Sequence, residues 1–249
     1  MVNLSEEFKL DGVLIVDKPP DWTSHDVCAF IRKRFHIKKV GHAGTLDPLA
    51  TGLLVVLLGK ATKHSIELSS CDKEYLGVME LGVETDSHDR QGNVVARAAW
   101  EHVTVDVIRN KAREFTGEII QVPPMVSALK HKGVRLYKLA RQGKTVPREG
   151  RKVIIHELKI ESQDGALVHF FARVSKGTYL RTLINDLGKA MGCLASLFQL
   201  RRIRSGNFVL QDSVTVESLR QFSPAELRDK VFPLHSVVSY ANSHRPQGL

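Results

Sequence analysis

Val40-Gly41-His42-Ala43-Gly44-Thr45-Leu46-Asp47-Pro48-Leu49-Ala50-Thr51-Gly52, running straight into Leu53-Leu54-Val55-Val56-Leu57-Leu58, is the stretch on which fold and chemistry both turn. The apolar run is far shorter than the roughly 20 residues of a membrane span and reads as a buried strand. Before it, glycines permit a close backbone approach to a ligand, and Pro48 fixes the local path. Such a loop suits a carboxylate, Asp47, that must meet a large substrate in one geometry. An Asp that merely caps a turn fits the same local pattern. A phosphate-binding loop does not fit. Gly52 precedes Gly59-Lys60 by six intervening residues rather than four, and Ala61 stands where the magnesium-binding hydroxyl is required.

Outward from this loop the pattern is mixed. Gly12 to Val16 reads as a strand entering the turn Lys18-Pro19-Pro20-Asp21, and Ser24 is expected to cap a helix presenting Val27, Ile31 and Phe35. Tyr75 to Val83 reads as a strand and Val105 to Phe115 as a helix. Val153 to Ile160 and Leu167 to Val174 form an antiparallel pair across Asp164-Gly165. The stripe Leu180, Leu183, Ile184, Leu187, Met191 predicts a helix closed by Gly192. A strand follows over Leu197 to Leu210, then short helices near Val216 to Gln221 and Pro224 to Asp229. Regular βαβ alternation is missing. The expected class is α+β (mixed α/β), with a largely antiparallel central sheet flanked by helices.

The 249 residues are 43% hydrophobic, enough for a sizeable core. The N-terminal residues carry charges of both signs without an apolar core, so no signal peptide is expected and the chain reads as cytoplasmic. Cys28, Cys71 and Cys193 are too far apart for a disulfide framework or a zinc site. A net charge of +9 favours a polyanionic partner. It gathers in three clusters: Arg32, Lys33, Arg34, Lys38 and Lys39; Arg148, Arg151 and Lys152; Arg201, Arg202 and Arg204. Each is either a solvated face or a phosphate grip.

Longer blocks are specific. Asp17-Lys18-Pro19, Thr23-Ser24 and the Gly41 to Gly52 loop are followed by Asp72-Lys73-Glu74-Tyr75, by Gly82 with Thr85-Asp86 and Asp89, and by Gln121-Val122-Pro123-Pro124 with Ser127 to Lys130. Then come Leu136-Tyr137, Ala140 to Gly143, Val146-Pro147-Arg148, Ser175 to Leu183 and Leu200-Arg201-Arg202. In this order they resemble the TruB family of tRNA pseudouridine synthases over about Asp11 to His235. The resemblance implies the pseudouridine synthase fold and isomerisation of uridine 55 in the tRNA T-loop. That reaction breaks the C1′–N1 bond, turns the uracil and joins C1′ to C5. It is an isomerisation, so no cofactor and no metal is expected.

The resemblance makes Asp47 the catalytic carboxylate, with Tyr75 and Arg181 as its catalytic companions. A carboxylate in a water-excluding site is driven toward its neutral form unless a fixed cation opposes this, and the resemblance implies Arg181 as that counter-ion. Tyr75 offers a ring to stack on the extruded uracil and a hydroxyl near C5. His42, Tyr179, Leu200 and Lys18 are the expected substrate-binding set: His42 contacts RNA, Tyr179 and Leu200 line the base pocket, and Lys18 supports the loop. The T-arm of tRNA is the expected partner, gripped through shape and phosphate. A monomer without membrane attachment is expected.

Some positions depart from the family's usual pattern: Asp21 where glycine is common, Val126 beside Ser127 where tyrosine is common, and Leu194 and Ser196 in place of a glycine and a histidine. The expected organisation is a catalytic domain over 1–237 and a polar tail over 238–249, with no PUA domain. Two rival functions stand beside the main one: a tRNA-binding and refolding protein with secondary catalysis, and a guide-dependent pseudouridine synthase acting on ribosomal RNA.

Overall fold

The structure is a computed structural model that describes residues 9–127, 129–131, 133–140 and 142–234. The tail expected over 238–249 lies outside them. The described chain divides into two compact units, one running through Glu74 and resuming at Arg201, the other spanning Tyr75–Leu200.

In chain order, the first unit supplies β1 (Gly12–Lys18), α1 (Ser24–Phe35), β2 (Val40–Ala43), β3 (Thr51–Leu58), α2 (Ser65–Ser69) and the start of β4 (Lys73–Leu81). The second unit continues β4 and adds β5 (Val83–Thr85), β6 (Val94–Arg97), α3 (Val105–Glu114), β7 (Gly117–Gln121), β8 (Lys130–His131) and β9 (Val134–Arg135). After them come α4 (Leu136–Ala140), β10 (Arg151–Asp164), β11 (Leu167–Val174) and α5 (Leu180–Ala190). The strand β12 (Ala195–Ser205) leads back to the first unit, which ends with β13 (Phe208–Val209), β14 (Val214–Thr215), α6 (Val216–Gln221), α7 (Pro224–Asp229) and β15 (Phe232–Pro233).

In the first unit, β1 lies antiparallel to β3 from Gly12↔Leu58 to Lys18↔Gly52, and β2 pairs with the other edge of β3. Two pairings are parallel: β1 with β14, and β3 with β12 at Arg201↔Thr51 and Arg202↔Gly52. Alternate residues Val13, Ile15, Leu53, Val55 and Leu57 meet Ala43, Leu68 and Phe208 in one apolar cluster. Leu14, Val16, Leu54, Val56 and Leu58 on the opposite face are just as buried. Strands buried on both faces read as unbroken apolar runs, which is why Leu53 to Leu58 shows no alternation.

In the second unit the sheet order is β4-β11-β10-β7, with β10 antiparallel to both β11 and β7. The strand pair over Val153 to Val174 and the helix over Leu180 to Ala190 stand where the sequence places them, and the sheets are mostly antiparallel as expected. Three local expectations change. The cap of α1 is Thr23, in a capping box with Asp26, because Ser24 is buried and its hydroxyl is used elsewhere. The strand expected over Leu197 to Leu210 breaks at a turn, where Gly206 has φ +57°. The glycine-rich segment contributes a strand of its own, β2. Among the described residues no helix is long and apolar enough to cross a membrane.

Candidate active site

Asp47 sits half-buried on the loop between β2 and β3. Its immediate neighbours are each fastened. The Ser24 hydroxyl accepts from Leu46 N at 2.9 Å and donates to Leu46 O at 3.2 Å. Ala50 N donates to Asp47 O at 3.1 Å, closing a turn with Pro48 at its second position, where a fixed φ is favoured. Pro48 O accepts from Asp21 N at 2.9 Å and from Lys18 Nζ at 3.1 Å. Leu46, Leu49 and Ala50 are buried, so they anchor the segment while Thr45 and Pro48 stay exposed. Beside the loop runs an open groove of about 400 Å³ whose lining includes Lys18, Trp22, Thr51, Arg201, Glu217 and Arg220.

Lys18 is fully buried at the end of β1. Its ammonium donates to Pro19 O at 2.8 Å, Trp22 O at 2.6 Å and Pro48 O, so all three protons are used on the two loops it joins. Burial pushes this amine down to about 8, against the opposing pull of the Asp47 and Asp21 carboxylates. His42, on β2, is held below its ordinary pKa by burial first and by the nearby Arg202 and His25 charges second. Lys18, His42 and Asp47 thus belong to one loop system in the first unit.

The second unit gathers another group. Arg181, in the first turn of α5, is 3% exposed. Its guanidinium is anchored through all three nitrogens: Nε lies 3.5 Å from Asp89 Oδ2, and the other two donate to Ser87 O at 2.9 Å and Val126 O at 2.8 Å. Asp89 is itself fixed, its Oδ1 accepting from Ser87 Oγ at 2.7 Å and Gln91 N at 3.0 Å. Tyr179 caps α5. The buried Gln121 amide takes both of its backbone groups, accepting from Tyr179 N at 2.8 Å and donating to Tyr179 O at 3.1 Å. Tyr75 on β4 and Leu200 on β12 are each 8% exposed. Asp89 and Gln121 were visible in sequence only as members of longer blocks. Their signal is burial of a polar side chain, which sequence does not report.

The basic clusters are less free than the sequence suggests. Arg34 donates to Arg220 O and Phe222 O, and Arg32 to Val40 O. Arg148 donates to Pro123 O, and Lys152 pairs with Glu118. Arg201 pairs with Asp17 and Arg204 with Glu74, while Arg202 is buried. Among the described residues no group of three or more His, Cys, Asp or Glu side chains is placed to hold a metal ion.

Two family models match in succession: the N-terminal domain of TruB family pseudouridylate synthases over residues 32–180, and the tRNA pseudouridylate synthase B C-terminal domain over 181–239. A protein of Geotalea uraniireducens named tRNA pseudouridine synthase B is 50% identical over 208 residues, which is 84% of this chain and 67% of that protein. One of the same name from Opitutus terrae is 44% identical over 92% of this chain and 95% of its own length. Among solved structures, a chain in the crystal structure of a Cbf5-Nop10-Gar1 complex superposes with a TM-score of 0.73 at 32% identity. This chain is covered over 94% of its length there but spans only 63% of that one. With matched models running unbroken from residue 32 to 239 and relatives at this identity, the chain belongs to the TruB family of pseudouridine synthases.

Proposed function

We propose that this chain isomerises uridine 55 in the T-loop of tRNA to pseudouridine, with Asp47 as the catalytic carboxylate and no cofactor. The observation that carries this reading is the fastening of the Asp47 loop. Hydrogen bonds to the backbone of Leu46, Asp47 and Pro48 fasten each in turn, leaving the carboxylate on a rigid mount. Chemistry at C1′ requires that stiffness, since a small misplacement of a reacting group costs much of the rate.

The remaining roles follow from chemical need. C1′ is inaccessible inside a base stack, so the nucleotide must be extruded. Tyr75 would stack on the freed uracil, and its hydroxyl would stand by C5, where a proton leaves. Tyr179 and Leu200 would line the base pocket and His42 would contact the RNA. An imidazole held below its usual pKa is neutral near pH 7, suiting a hydrogen-bonding role over a charge contact. Arg181 would serve as counter-ion to Asp47, its guanidinium oriented in advance by Asp89, Ser87 and Val126. Residues 1–237 would act as one catalytic module on the T-arm.

A guide-dependent activity is the second reading, favoured by the similarity to a chain from the Cbf5-Nop10-Gar1 complex. The relatives named tRNA pseudouridine synthase B favour the stand-alone tRNA enzyme. Mapping pseudouridine in an unmodified tRNA transcript incubated with the chain alone separates them. Product at position 55 without guide RNA, and none in a transcript with cytidine there, supports the proposal. Product only when a guide RNA is added overturns it.

A further inference from the structure

Arg202 and Lys18 are among the largest fully buried side chains of the described residues. Both are cations, and both bind carbonyls of the Asp47 loop. Arg202 Nε donates to Leu53 O at 2.7 Å and a terminal nitrogen donates to Gly44 O at 3.0 Å. These carbonyls bracket the loop, one before Asp47 and one after it. No carboxylate pairs with this guanidinium among the described residues. Its neighbours differ: Arg201 and Arg204, with side chains 41% and 45% exposed, pair with Asp17 and Glu74.

Burying a charge without a carboxylate is costly, and a buried salt-bridge partner or an apolar side chain would cost less. The fork of an arginine gives something neither can, two directed bonds to separate carbonyls. The fit is tight as well. Gly52 has φ +94°, and a Cβ there would stand 2.3 Å from Arg202 O, so β12 presses against the exit of the loop. The charge is felt inside the loop system, since Arg202 contributes to holding both His42 and Lys18 below their ordinary pKa values.

We infer that Arg202 is a positioning residue for Asp47, closing the catalytic loop at both ends while adding a fixed positive charge to the loop system. The inference rests on Asp47 being the catalytic carboxylate. A carboxylate that must stay ionised gains from that charge, and a loop held at both ends keeps it aimed.

The test uses the full chain with Arg202→Met, Arg202→Lys and Asp47→Asn, a tRNA transcript, amide exchange over residues 44–53 and NMR titration of the His42 imidazole. For Arg202→Met we expect single-turnover rates down about 100-fold with tRNA affinity little changed. Exchange over the loop should quicken and the His42 midpoint should rise. Arg202→Lys keeps the charge and loses the fork. Its His42 midpoint should stay near the parent's while its rate and loop exchange fall between. If Arg202→Met does not fold, these Arg202→Lys outcomes carry the test. A parental rate for Arg202→Met, or an unmoved His42 midpoint with both variants equally impaired, overturns the inference. If Asp47→Asn keeps parental activity, the catalytic reading fails instead, whatever the exchange and titration at Arg202 show.

Discussion

At Ser24 a single buried hydroxyl serves both backbone groups of Leu46. Removing it leaves a buried donor and a buried acceptor unmatched, beside the proposed catalytic residue. Ser24→Ala should therefore cost on the order of 2 kcal/mol in chemical denaturation and lower turnover more than tRNA affinity. A parental turnover number would show that the loop does not depend on this bond. Lys18 gives a pH test. Its amine, brought down to about 8 by burial, needs all three protons to hold three carbonyls. Turnover should decline on the alkaline side with a midpoint near 8, and Lys18→Met should lose that limb along with most activity. Stability runs the other way. Below about 8 both folded and unfolded chains carry the proton and the burial cost is fully present. From there up to 10.5 the unfolded chain binds more protons, so this group's contribution to stability rises with pH. Over that window the parent should gain stability relative to Lys18→Met, read in denaturation experiments at a series of pH values.

Elements with strong local patterns were legible before the structure. The apolar run of β3, the Asp164-Gly165 hairpin between β10 and β11, and the stripe of α5 closed by Gly192 each stand within a few residues of expectation. What changed was which of two adjacent hydroxyls caps α1. Ser24 and Thr23 are equivalent as caps in sequence, and only the position of Leu46 decides which hydroxyl is diverted. Thr23→Ala should then cost about 1 kcal/mol of stability with turnover unchanged, the opposite balance from Ser24→Ala. Arg202 stands in sequence as one of three clustered basic residues. Strand alternation with buried Leu200 puts it on the inner face, a period-2 signal that its charge masks. Asp89 and Gln121 bind through the fold to Arg181 and to the Tyr179 backbone, contacts between distant positions that no local pattern encodes. Gly52→Ala tests the close passage of β12: its left-handed φ and the 2.3 Å approach to Arg202 O predict a loss of about 2 kcal/mol or more, read by thermal denaturation.

For the molecule as a whole, the 36 Lys and Arg residues overstate how many cations are free to meet phosphate. Arg181 and Arg202 are buried, and Arg201, Arg204 and Lys152 are paired with carboxylates. Lys33, Lys38 and Lys39 are exposed near the end of α1 and remain the better phosphate ligands. Replacing them with alanine should weaken tRNA binding and flatten the slope of log affinity against log salt by about one for each phosphate no longer neutralised. Replacing Arg201 and Arg204 should change that slope less. The central claim is that Asp47 carries the chemistry, and it is tested most directly by tritium release from a tRNA transcript labelled at C5 of uridine. Release by the parent chain and none by Asp47→Asn, with tRNA still bound, is the predicted result; release by Asp47→Asn at the parental rate would contradict it.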